Sequence, residues 1–142
     1  MKQRIQSITT IFLSLILILS LASCQEKLPK TGLWENAAYR ADKEFGKGAK
    51  TVVVEVVAEE QKVIFTIHTD QETVGAALQE HNLIAGDDGQ FGMYVKVVNG
   101  ITADYDADRS YWAFYIDGEM AMTGVDLTPI NEASIYRLEY TR

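Results

Sequence analysis

From Thr51 onward apolar and polar residues alternate with a period of two, the spacing of a strand with one buried face. Val52, Val54 and Val56 share one side, with Thr51 and Glu55 on the other; Val63, Phe65 and Ile67 repeat the pattern against Lys62, Thr66 and His68. The polar residues 58–61 between them predict a hairpin. The period then lengthens. Thr69-Asp70-Gln71-Glu72 has the form of a capping box, and Val74, Ala77, Leu78 and His81 stand at i, i+3, i+4 and i+7. They predict a single-faced helix of about ten residues ending near Asn82, followed by a turn at Gly86-Asp87-Asp88-Gly89. Tyr94 to Val98 and Tyr111 to Ile116 read as strands, and Asp117-Gly118 is a type I′ hairpin sequence with Met120 and Met122 on its return arm. A loop containing Pro129 precedes a last strand from Ser134 to Tyr140. The order β-β-α-β-β-β predicts an α+β fold, a mixed sheet of about five strands with one helix on one face. Trp112, Phe114 and Ile116 are expected in its core beside Val95, Val97, Leu138 and Tyr140. Tyr111 and Tyr115 then fall on the helix-free face, with Tyr94 and Lys96 nearby.

The first 50 residues follow other rules. Lys2 and Arg4 precede an apolar run from Ile11 to Ala22, interrupted only by Ser14 and Ser20. As a helix it would reach about 18 Å, short of the ~30 Å of a bilayer core, so it reads as a signal-peptide core. It ends in Leu21-Ala22-Ser23-Cys24, which resembles a bacterial lipobox. That resemblance implies cleavage of residues 1–23 and a diacylglyceryl group on Cys24, and it accounts for an exported chain with one unpaired cysteine. Residues 24–50 are then a lipidated tether. Trp34, Ala38, Ala41 and Phe45 share helical spacing within it, predicting a short helix that docks on the domain before Gly46-Lys47-Gly48 breaks it. Residues 51–142 form the domain. The expected location is the extracytoplasmic face of the bacterial cell membrane.

Charge narrows the partners. The chain has 20 acidic residues against 13 Lys and Arg, and removal of residues 1–23 takes Lys2 and Arg4 but no acid. No basic face is available for nucleic acid, and charge does not draw the chain to an anionic lipid surface, so acyl groups must hold it there.

The residues of the second half resemble a known family. Tyr94-Val95-Lys96-Val97-Val98-Asn99-Gly100, Ser110-Tyr111-Trp112-Ala113-Phe114-Tyr115-Ile116-Asp117-Gly118-Glu119 and Gly124-Val125 are similar to the transcobalamin-like C-terminal domain family, over about Thr51 to Thr141. The resemblance implies a β-grasp-like fold and ligand binding, because in the eukaryotic relatives this domain closes over cobalamin. One departure is Asn131-Glu132-Ala133-Ser134, where the family has Asp/Glu-Gly-Asp.

Residues for covalent chemistry are few. His68 and His81 are the two histidines, Ser110 and Ser134 the two serines after Cys24, and nothing in the pattern joins them, so no enzyme and no cofactor are expected. Asp104, Asp106, Asp108 and Ser110 have the spacing of a calcium loop. Arg109 stands where that loop needs glycine and Tyr115 where it needs glutamate, which favours a solvated acidic loop. Tyr94, Tyr111, Tyr115, Met120 and Met122 are the residues expected to bind a ligand or partner, rings and thioethers together making an adaptable apolar surface. The function expected is that of a surface lipoprotein that captures a cobalamin-like small molecule with a transporter. The alternative is a non-enzymatic module that docks on another envelope protein.

Overall fold

The computed structural model describes residues 26–142. Residues 1–23 and Cys24 therefore lie outside the described residues. Among the described residues nine strands form two sheets. The larger sheet uses β1 (Lys43–Gly46), β2 (Lys50–Ala58), β3 (Gln61–Thr69), β7 (Tyr111–Ile116), β8 (Glu119–Met120) and β9 (Ile135–Thr141), in the order β1-β3-β2-β9-β7-β8. It is mixed: β1 runs parallel to β3 and β2 parallel to β9, while the other pairs are antiparallel. The smaller sheet is an antiparallel meander of β4 (Ile84–Asp87), β5 (Tyr94–Val98) and β6 (Ile101–Thr102). Helix α1 (Val74–Glu80) and the single turn α2 (Tyr105–Asp108) complete the α+β fold.

The β2–β3 hairpin follows the alternation closely. Val52, Val54, Val56, Val63, Phe65 and Ile67 are all buried, and Tyr136 and Leu138 of β9 continue that face. α1 lays Val74, Ala77 and Leu78 on it, with Leu83, Ile84, Val95, Val98 and Ile101 in the same core cluster. Three two-residue turns use the left-handed backbone that type I′ demands: Asp117-Gly118, Asn99-Gly100 and Glu59-Glu60. In the last of these, two β-carbon-bearing residues occupy that region (φ 50° and 63°) without a glycine.

Four expectations need correction. The main sheet has six strands and not about five, and Tyr94–Val98 belongs to the second sheet, because residues 84–102 pair locally as a meander. The helix cap is Thr73, whose hydroxyl accepts from the Ala76 amide at 3.2 Å, and not Thr69, where β3 still continues. Thr69 spends its hydroxyl on the Gln71 amide and on Glu80. Of the expected core of β7, Trp112 is buried while Phe114 and Ile116 are half-buried, Phe114 stacking on Tyr136 at 6.2 Å.

The fourth correction concerns residues 34–45. No helix spans them: a 3₁₀ turn at Gly32–Glu35 and strand β1 replace it. Trp34 is 1% exposed, its indole N–H donating to Ala58 O at 3.0 Å, and Phe45 packs edge-on against Phe65 and Tyr39. Buried Asn99 joins this segment to the β5–β6 turn. Its side chain accepts from the Tyr39 amide (2.9 Å) and donates to Tyr39 O (2.7 Å), while its carbonyl accepts from the Ala38 amide (2.8 Å). A buried amide with all these groups paired specifies one docking geometry, which a greasy contact alone would not.

Candidate functional site

One region of the surface is unusually apolar. β5 alternates so that Val95 is buried and Tyr94 is 44% exposed. Tyr94 lies between two clefts. One, of about 490 Å³, is lined by Tyr94, Tyr105 of α2 and Tyr111 at the start of β7. The other, of about 280 Å³, lies between the loops 89–93 and 121–124, with Phe91, Met93, Tyr94 and Met122 on its walls. Phe91 is 70% and Met122 90% exposed, values that an isolated loop gains nothing from.

The two loops are fastened to each other. Gly124 N donates to Phe91 O at 2.8 Å, and Met93 N donates to the Asp126 carboxylate at 2.6 Å. Gly92 has φ 102°, and a β-carbon there would stand 2.7 Å from Asp126 Oδ1, so the backbone approach depends on glycine. The exposed rings and thioether are thus presented on anchored loops, which lowers the entropy that a ligand must overcome.

α2 owes its position to the acidic run. Asp104 caps it, one carboxylate oxygen accepting from the Asp106 and Ala107 amides at 3.1 Å. Asp108 accepts from the Ser110 amide and hydroxyl and from Arg142. Those hydrogen bonds, the Ser110 hydroxyl's first, hold its carboxyl below the usual carboxylate range. The D-x-D-x-D-x-S spacing therefore builds a capped turn that sets Tyr105 beside Tyr111. Among the described residues no group of three or more His, Cys, Asp or Glu is placed to hold a metal ion.

The five residues singled out in the sequence separate into two groups. Tyr94 shares one cleft with Tyr111 and the other with Met122. Tyr115 and Met120 are cross-strand partners in the β7–β8 hairpin and line neither cleft. Phe91 and Tyr105 belong to the surface but carry no strand periodicity. Each lies in a segment that reads as polar loop, and an aromatic residue standing in it is the one signal the sequence offers.

Elsewhere the polar groups engage one another. His68 is held by Glu44 (2.6 Å) and Thr51 (3.2 Å), and His81 lies against Phe45, 3.8 Å from Glu80. On the helix-free face Glu55 binds Lys62 at 2.7 Å and Arg137 at 2.9 Å. Burial alone would raise the Glu55 pKa, but the hydrogen bonds from those two cations outweigh it and keep the carboxyl below its ordinary value. That face is a lattice of ion pairs, with a cleft of about 340 Å³ between Glu55, Asp117, Ile135 and Arg137.

Comparison with known proteins supports the fold. Residues 71–140 match the family model described as a domain of unknown function (DUF4430), a span that holds both clefts. A crystal structure of a candidate metal-binding protein from Ruminococcus gnavus is similar at 28% identity and a TM-score of 0.61, over 66% of this chain and 97% of that one. No curated protein matches the sequence. The structure of haptocorrin in complex with Cbi matches with a TM-score of 0.55 at 14% identity, covering 66% of this chain and a quarter (25%) of haptocorrin. The chain thus shares its fold with haptocorrin, and within it the stretch running from α1 into β9 matches a domain of unknown function.

Proposed function

We propose that this chain is a lipid-anchored, non-enzymatic protein of the bacterial cell surface whose domain binds a small, corrinoid-like molecule for a transporter. The observation that carries the reading is the pair of clefts sharing Tyr94, with Phe91 and Met122 exposed on clamped loops. The fold shared with haptocorrin, whose structure holds Cbi, supports the ligand class. The candidate metal-binding neighbour is compatible with it, since a corrinoid carries its own metal and needs no set of protein ligands. This chain spans only a quarter of haptocorrin, so the surface would serve as part of a site. An open surface of this size favours affinity near micromolar, about 8 kcal/mol, over the picomolar range. The non-enzymatic reading is supported by where the hydroxyl and imidazole groups lie: Ser110 is bonded to the Asp108 carboxylate, and the Thr51–His68–Glu44 hydrogen bonds are outside both clefts.

Titration with cobalamin is the test. Calorimetry should give saturable binding, and Tyr94→Ala should weaken it at least about tenfold, ~1.4 kcal/mol, with an unchanged melting temperature. Absence of heat at millimolar cobalamin would remove the corrinoid reading and leave the docking of an envelope protein, read by crosslinking from position 122. The anchor is tested separately. Wild type should incorporate labelled fatty acid and sediment with membranes, whereas Cys24→Ala should be unlabelled and either released or uncleaved. An unlabelled wild type would refute the lipoprotein assignment.

A further inference from the structure

The larger cleft is open and shallow, and its rings do not share a plane. Tyr105 and Tyr111 have ring centroids 6.5 Å apart and planes inclined at 62°, and Tyr94 lines the same space. A planar ligand can lie on only one of two rings so inclined. What they form is a corner, and ring faces carry the negative part of the aromatic quadrupole. A cation already uses it: the Arg109 guanidinium lies 5.0 Å from the Tyr105 centroid. Arg109 is brought there by its backbone, which closes α2 in the left-handed region (φ 65°) with its amide donating to Tyr105 O.

The charges nearby favour a further cation. Lys96 is paired with Asp87 and also feels Asp104, while Arg142 is paired with Asp108. Asp104 and Asp106 flank Tyr105, on a chain with 20 acids against 13 Lys and Arg. Three phenol rings offer faces but few hydrogen-bond acceptors. A primary ammonium would lose its water there without replacement, whereas a quaternary one has no N–H to leave unsatisfied.

We propose that the Tyr94–Tyr105–Tyr111 cleft binds the quaternary ammonium group of a small soluble molecule, which competes with Arg109 for the face of Tyr105. This rests on the reading that the surface around Tyr94 binds ligands, and it assigns a chemistry to one of its two clefts. At about 490 Å³ the cleft has room for a trimethylammonium group and its substituent.

Choline and its neutral carbon isostere dimethylbutanol, titrated into the mature chain at low salt, separate charge from shape. Choline should bind at least about fivefold more tightly, the equivalent of ~1 kcal/mol. Tyr105→Ala should abolish that preference and Tyr105→Phe, which keeps the ring, should retain it, with melting temperatures unchanged. Arg109→Asn, a residue that tolerates the left-handed backbone, should strengthen choline binding by removing the internal competitor. Equal affinity for the two probes, no choline binding at about 10 mM, or weaker binding in Arg109→Asn would overturn the assignment. Cobalamin binding without choline binding would sink this inference alone. Choline binding without cobalamin binding would sink the corrinoid reading and leave the ammonium site standing.

Discussion

Trp34→Ala should lower stability by about 3–5 kcal/mol, the cost of emptying a large, fully buried aromatic site. The residue is 1% exposed and its indole N–H donates to Ala58 O, so truncation leaves a cavity and removes a buried hydrogen bond. A domain of this size has about 5–15 kcal/mol in total, and the loss should appear as a fall in melting temperature of more than about 10 °C. The experiment also asks where the folding unit begins. If residues 26–50 are integral, a chain starting at Thr51 should be at least as unstable as Trp34→Ala, because it also loses β1 and the Asn99 clamp. A truncated chain that melts like the full domain would show that the segment is only laid on the surface.

The second large effect is expected at Gly86, which is solvent-exposed and carries no side chain to lose. It sits at the bulge between β4 and β5, and a β-carbon built there would stand 2.1 Å from Tyr94 O and 2.9 Å from Val95 Cα. Those atoms are backbone and cannot rotate away, so Gly86→Ala must push β5 outward, at a cost of about 1–3 kcal/mol or more. The displaced strand carries Tyr94, which both clefts share. Ligand binding should therefore fall further than the melting temperature implies, whereas Gly118→Ala, which has open space around its β-carbon position but left-handed backbone (φ 84°), should lower the melting temperature and leave binding intact. Wild-type binding and melting in Gly86→Ala would show that the meander opens freely and that Tyr94 is not held by it.

Legibility followed the range of the interactions. Val52 to Ile67 were readable because a hairpin buries one face of each strand, and a period of two is then obligatory for any residue pair in it. Asp117-Gly118 was readable because left-handed backbone at two successive residues selects few sequences. Glu59-Glu60 makes the same turn without that composition. Thr73 was hidden as a cap by the better-looking Thr69-Asp70-Gln71-Glu72, whose threonine β3 had already claimed. Trp34, Ala38, Ala41 and Phe45 fit a helix on paper. Pairing of β1 with β3 and the burial of Trp34 under Ala58 outweigh the small propensity that spacing expresses.

The candidate site divides along the same line. Tyr94, Tyr111 and Met122 could be named from a strand alternation and a hairpin arm, yet alternation only assigns a side chain to a face. Whether residues 94 and 115 adjoin depends on which strands pair, and the meander of 84–102 sends β5 to a different sheet from β7. Composition alone gives the acidic balance, and the faces of β2 and β3, the Asp117-Gly118 turn and the helix beginning at Val74 are legible because neighbours a few residues apart set them. That Tyr105 joins Tyr94 and Tyr111, that Phe91 and Met122 share a cleft, and that Trp34 and Phe45 enter the core are matters of long-range packing. Those contacts join residues distant along the chain, and their free energy comes from burial and backbone pairing that no local pattern encodes.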